Sequence, residues 1–121
     1  MPKVLLIDDD PHLQNILTKV LGKNDFEVFT ADDGTSGLQQ AKQHKPDVII
    51  LDIIMPGMDG FEVAKRLRRD RTCAHIPIMV LTAYGATFAR RSAAEAGVED
   101  FVTKPFSIDD FLKRLKAMIA A

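Results

Sequence analysis

"DVIILD" (47–52) decides the fold. Val48, Ile49, Ile50 and Leu51 stand in a row between two aspartates, with no polar residue among them. A strand wetted on one side alternates apolar with polar residues, whereas an unbroken apolar run suits a central parallel strand covered on both faces. "IPIMVLT" (76–82) has the same character. Outward from these two, "KVLLID" (3–8), "FEVFTA" (26–31) and "EDFVT" (99–103) read as three further strands.

Helical spacing fills the gaps. Leu13, Ile16, Leu17, Val20 and Leu21 recur on one helix face, with Asp10 placed to cap it and Pro11 at its first position. Leu38 and Ala41 mark a second helix, and Phe61, Ala64 and Leu67 a third. "ATFARRSAAEAG" (86–97) predicts a fourth that ends at Gly97. Ile108, Phe111, Leu112, Leu115 and Ile119 give a fifth, capped by Ser107 with Asp110 three residues on. Five β–α units in succession predict an α/β fold, a parallel sheet with right-handed crossovers. The common order for five strands is 2-1-3-4-5, which sets the first and third side by side.

In such a sheet, ligands bind beyond the carboxyl ends of the strands, where the strand order reverses. "VLLIDDDP" (4–11) places three aspartates at that edge. Isolated carboxylates stay in water or shed their charge, so a row of three calls for a positive partner. Asp10 is accounted for as a helix cap. Asp8 and Asp9 close the first strand, Asp52 the third and Thr82 the fourth, while Lys104 follows the fifth. Five polar groups therefore converge on one edge of an otherwise apolar sheet.

Composition narrows the class. At 121 residues the chain is one domain, 1–121, able to bury its own core. Sixteen basic residues nearly balance seventeen acidic ones, so no global field favours nucleic acid or membrane. A single cysteine, Cys73, cannot close an intramolecular disulfide and fits a reducing compartment. Neither a signal peptide nor a membrane-length apolar run is legible. A cytoplasmic domain that touches neither membrane nor nucleic acid is the expectation. His12, His44 and His75 lack metal-ligand spacing.

The ordered set "IDDD" (7–10), "LDIIMPGMDG" (51–60), "VLTA" (80–83) and "FVTKPF" (101–106) resembles the CheY-like receiver domain of bacterial two-component response regulators. The resemblance runs across essentially the whole chain. It implies a flavodoxin-like (βα)5 sandwich. Asp52 would be the phosphoacceptor, its carboxylate attacking phosphorus to give an acyl phosphate. Magnesium, which prefers oxygen ligands, would be held by Asp9, Asp52 and the main-chain oxygen of Ile54, with Asp8 acting through water. Lys104 would precede a cis Lys–Pro bond and aim its ammonium at the phosphorylated carboxylate. Thr82 would donate its hydroxyl to a phosphoryl oxygen, and small Ala83 would let a backbone N–H approach. "PGMDG" (56–60) would be a tight turn that shapes the pocket.

The same resemblance implies a two-state response to the added charge. Thr82 would move toward the phosphoryl group and Phe101, otherwise a half-buried strand residue, would enter the vacated space. Tyr84 would either screen the acyl phosphate from water or remain a loop aromatic. The fourth helix, fifth strand and fifth helix would form the output surface. Arg90, Arg91, Glu95, Glu99, Asp100, Lys113 and Arg114 would supply both signs of charge there. The implied partners are a sensor histidine kinase or histidine phosphotransfer domain and a downstream protein. The implied state is a monomer or a phosphorylation-dependent dimer. No outside substrate is turned over: the domain would catalyse its own phosphorylation and slow autodephosphorylation only.

One rival comes from another class. A haloacid-dehalogenase-like phosphohydrolase would use Asp8 as nucleophile in an Asp-x-Asp pattern with Asp10. Against it stand the missing later acidic pair, the missing cap domain and Pro11 in the turn. Rapid turnover of a phosphomonoester would single it out. A flavodoxin-like redox protein fails because the acidic edge would repel a flavin phosphate.

Overall fold

Five parallel strands, β1 (Lys3–Ile7), β2 (Glu27–Ala31), β3 (Val48–Leu51), β4 (Ile78–Thr82) and β5 (Asp100–Thr103), pair in the order β2-β1-β3-β4-β5. The computed structural model describes residues 1–83 and 95–120. Within them lie helices α1 (Pro11–Lys23), α2 (Gly34–His44), α3 (Gly60–Arg69) and α4 (Ile108–Ala120). The helix expected over 86–97 lies almost wholly outside the described residues, as do Tyr84, Arg90 and Arg91. Each strand is one or two residues shorter than its apolar run. The fourth, for instance, opens at Ile78 because Pro77 has no N–H to give a ladder.

Alternation along the strands splits the core into two layers. Leu5, Ile7, Ile49, Leu51 and Ile78 point to the side covered by Ala41 of α2 and by Val63, Ala64 and Leu67 of α3. Val4, Leu6, Ile50, Met79 and Val102 point to the side covered by Leu17 and Leu21 of α1 and by Phe111 and Leu115 of α4. Both faces of the sheet are therefore dry, which is why the central strands show no polar alternation. Phe111 is fully buried; truncating such a side chain to alanine costs about 3–5 kcal/mol. Ile16 is the outlier of the first helical stripe and remains 40% exposed. It sits about a quarter turn off the line of Leu13, Leu17 and Leu21.

The caps behave as their chemistry demands. Asp10 accepts from the His12 N–H at 3.0 Å, with Pro11 opening α1. Asp33 and Asp59 cap α2 and α3, and Ser107 Oγ accepts from the Asp110 N–H at 3.3 Å to start α4. Each of these four helices thus begins at the carboxyl end of the sheet, where its free N–H groups meet acidic or hydroxyl side chains. No helix among the described residues is long and apolar enough to cross a membrane.

Candidate functional site

Register builds the site before any side chain is considered. Ile7 pairs with Leu51, and the Asp52 N–H donates to the Ile7 carbonyl at 3.0 Å, so Asp8 and Asp52 leave adjacent strands side by side. Their side chains turn inward: Asp8 is 1% exposed and Asp52 8%. Asp9, next along the chain, faces out. One carboxylate oxygen from each of the three lies within 4.8 Å of the others.

Among the described residues, a single cation answers them. Lys104 follows β5, its N–H donating to the Thr82 carbonyl at 2.7 Å across the end of β4. The Lys104–Pro105 bond is cis, as the resemblance implies. Lys104 Nζ stands 3.2 Å from Asp52 Oδ2 and 3.4 Å from Asp8 Oδ2. Counting the described residues, three ionised carboxylates beside one ammonium leave two negative charges uncompensated. Burial pushes the Asp8 carboxyl above its ordinary value, and the nearby Asp52 charge adds to this. The Asp10 N–H, 2.9 Å from Asp8 Oδ1, and the Lys104 ammonium pull the other way. Hard oxygen donors with a residual double negative charge fit a magnesium-type cation on chemical grounds.

The loop after β3 completes the pocket wall. The Ile54 N–H donates to Asp52 Oδ1 at 3.2 Å, while the Ile54 side chain is 58% exposed at the rim. Gly60 opens α3 directly under this loop: a Cβ there would come within 2.7 Å of Ile53 Cα and strike the Asp52 carbonyl. Only glycine lets the helix approach the backbone of Asp52 so closely. Thr82, at the end of β4, is fully buried, and Ala83 is exposed beside it.

Phe101 corrects an expectation. It is buried rather than half-buried, because it pairs with Val80 across the β4–β5 ladder and packs on Ile53 and Val80. Glu99, counted among the charges of the output surface, is exposed and is tied to α3 and the start of β4. Its carboxylate receives the Arg68 guanidinium at 2.6 and 2.8 Å and accepts the Ile78 N–H at 2.6 Å. Asp100 is paired with Arg114 at 3.1 Å.

Two residues that patterning passed over prove central. Arg68 also donates to the carbonyls of Gly97, Ala74 and Ile76, at 2.9, 3.2 and 2.7 Å. Gln14 donates from its side-chain nitrogen to the main-chain oxygens of Asp8 and Ala31 and to Asp32 Oδ1. For each, the only signal in the sequence was a polar residue on a helix whose apolar stripe lies elsewhere. That is too common to single one out.

Comparison with known proteins follows the same outline. The response regulator receiver domain family matches residues 4–116. The DNA-binding dual master transcriptional regulator RpaA of Synechocystis is 40% identical over 98% of the chain, which covers 49% of RpaA. The chain spans about half the length of most of the curated relatives it matches. The chemotaxis protein CheY4 of Vibrio cholerae superposes with a TM-score of 0.93 at 33% identity, over 98% of both chains. The receiver domain of sensor histidine kinase PA1611 from Pseudomonas aeruginosa, solved with a magnesium ion coordinated in its active site cleft, gives a TM-score of 0.92 at 26% identity. That match covers 99% of this chain and 98% of the other. Nothing in these comparisons supports the phosphohydrolase alternative.

Proposed function

The chain belongs to the response regulator receiver domain family, and from that premise we propose that residues 1–121 form one receiver domain, a signalling switch with Asp52 as its phosphoacceptor. The observation that carries this reading is the placement of Lys104 Nζ between Asp52 and Asp8, 3.2 and 3.4 Å from them, with Asp9 beside the pair. A signalling domain of this family resides in the cytoplasm, receives its phosphoryl group from a sensor histidine kinase or histidine phosphotransfer domain, and passes the change to a downstream protein.

A carboxylate is a modest nucleophile, so positioning and neutralisation must do most of the catalysis. Asp52 is oriented on one oxygen by the Ile54 N–H and on the other by Lys104. It attacks phosphorus; the Asp52 O–P bond forms as the bond to the donor's histidine nitrogen breaks, and that nitrogen leaves with the electron pair. Lys104 meets the charge that grows on the phosphoryl oxygens, and Thr82 lends its hydroxyl to another of them. Asp9, Asp52 and the main-chain oxygen of Ile54 would hold Mg2+ directly, with Asp8 reaching it through water. Bound there, the ion offsets the excess acid and lowers the repulsion between Asp52 and an incoming anion. Afterwards the added negative charge draws Thr82 toward it, and Phe101, on β5 against Ile53 and Val80, is the side chain that responds. The reaction is confined to the domain's own phosphorylation and slow loss of that group.

The test is labelling with a small phosphodonor in Mg2+, read by intact mass. Wild type should gain one phosphoryl group; Asp52→Asn and wild type in chelator should gain less than about a hundredth as much, as expected when a unit-acting catalytic group is lost. Labelling that persists in Asp52→Asn moves the acceptor elsewhere. In a second arm, an NMR spectrum of Phe101 that is identical before and after labelling removes Phe101 from the switch.

A further inference from the structure

The three acids of the pocket are not held equally. The Asp8 carboxylate is gripped by the Asp10 N–H and Lys104, and that of Asp52 by the Ile54 N–H and Lys104. No hydrogen bond from a described residue restrains the carboxylate of Asp9, which is also the exposed member of the trio. Its reach is therefore set by where the backbone places its Cα, above all by the peptide that joins it to Asp8.

That peptide is held from α1. Gln14 Nε2 donates to the Asp8 carbonyl, the acceptor half of the Asp8–Asp9 peptide, and also to the Ala31 carbonyl and Asp32 Oδ1, each at 3.1 Å. All three partners are oxygens with no hydrogen to give, so the amide nitrogen must face them. The Ala31 carbonyl also accepts the Asp8 N–H at 3.1 Å. One side chain thus ties the exit of β1 to the exit of β2, and Asp8 is held on both of its main-chain polar atoms. A side chain serving only to fasten α1 to the sheet could bond anywhere along the strand. Of its three acceptors, one is the carbonyl of the peptide that leads into Asp9.

We propose that Gln14 is a positioning residue, which fixes the Asp8–Asp9 peptide so that the Asp9 carboxylate meets a divalent cation without rearranging. The proposal rests on reading the acidic nest as a Mg2+ site. Partners that orient a metal ligand typically contribute 10–100-fold to affinity. Gln14→Met keeps length and bulk but donates nothing. Titrated with Mg2+ alone, by calorimetry or by the Asp9 and Asp10 amide signals, it should bind about tenfold more weakly than wild type. In the phosphodonor assay the half-saturating Mg2+ should rise by the same factor while the rate at saturating Mg2+ stays near that of wild type, a split that mere loosening of the fold would not give. Should Gln14→Met fail to fold, Gln14→Ala, a strong helix former, carries the same measurement. Equal Mg2+ affinity in wild type and variant would overturn the role of Gln14 and leave the nest intact. Wild type that binds no Mg2+ would overturn the nest, and this inference with it.

Discussion

The two ends of the sheet solve opposite problems with the same residue types. At the carboxyl end, Asp8 and Asp52 share Lys104 with Asp9 close by, and Asp8 is buried beside Asp52 with its pKa raised. At the amino end of β4 and β5, one guanidinium meets three carbonyls and one carboxylate, all between 2.6 and 3.2 Å. Arg68 there joins the end of α3, the 70–77 connection, Gly97 and the start of β5. Nearby Asp70 has its pKa lowered, chiefly by the Thr72 hydroxyl and N–H. One end leaves charge unbalanced and the other satisfies every donor. An unbalanced pocket binds a cation and responds when its charge changes, whereas a satisfied clamp gives that response something rigid to act against.

If this contrast is real, the clamp should matter to stability and the pocket should oppose it. Arg68→Ala strands three carbonyls and leaves Glu99 without its charge partner, so it should cost about 2–3 kcal/mol. Urea unfolding at constant slope gives that number directly; a loss under about 0.5 kcal/mol would make the amino end ordinary surface. Asp8→Asn should act in the other direction. Because the folded pKa of Asp8 is raised, its ionisation costs nothing below its ordinary value of 3.8 and lowers stability as pH climbs through the raised value. In chelator at pH 7, Asp8→Asn should therefore unfold at higher urea than wild type, with the gain vanishing below pH 3.8. A gain that grew in acid would refute the burial argument.

Asp70 supplies the mirror image and the smallest effect. Its pKa is depressed, so its contribution is complete above 3.8 and disappears as pH falls through the lowered value. Asp70→Asn should flatten only that acid limb of the stability curve, slightly, since the group is partly exposed and its bonds are to a neighbouring turn residue. An unchanged acid limb would show that the Thr72 contacts carry no linkage.

Much of the carboxyl end was legible beforehand. Asp8, Asp9, Asp52, Thr82 and Lys104 each stand at the close of an apolar strand, and parallel topology brings strand ends together whatever the side chains between them do. Asp10 and Ser107 declared themselves as caps by local spacing alone, whereas Asp59 read only as part of a turn. The amino end was opaque by comparison. Glu99 looked like one charge among several on a solvated face until Arg68, 31 positions away, closed on it. Gln14 reads as a neutral helix residue until α1 packs and sets it against two strand exits.

The sequence by itself marked the strands, the two-faced core and the edge where acids gather. Those follow from periodicity and chain direction, which are local properties. The tertiary structure alone decided that Phe101 lies inside, that Glu99 meets Arg68, and that the Gln14 amide reaches the Asp8 carbonyl. These depend on distances between residues far apart in the chain, set only once the helices settle on the sheet.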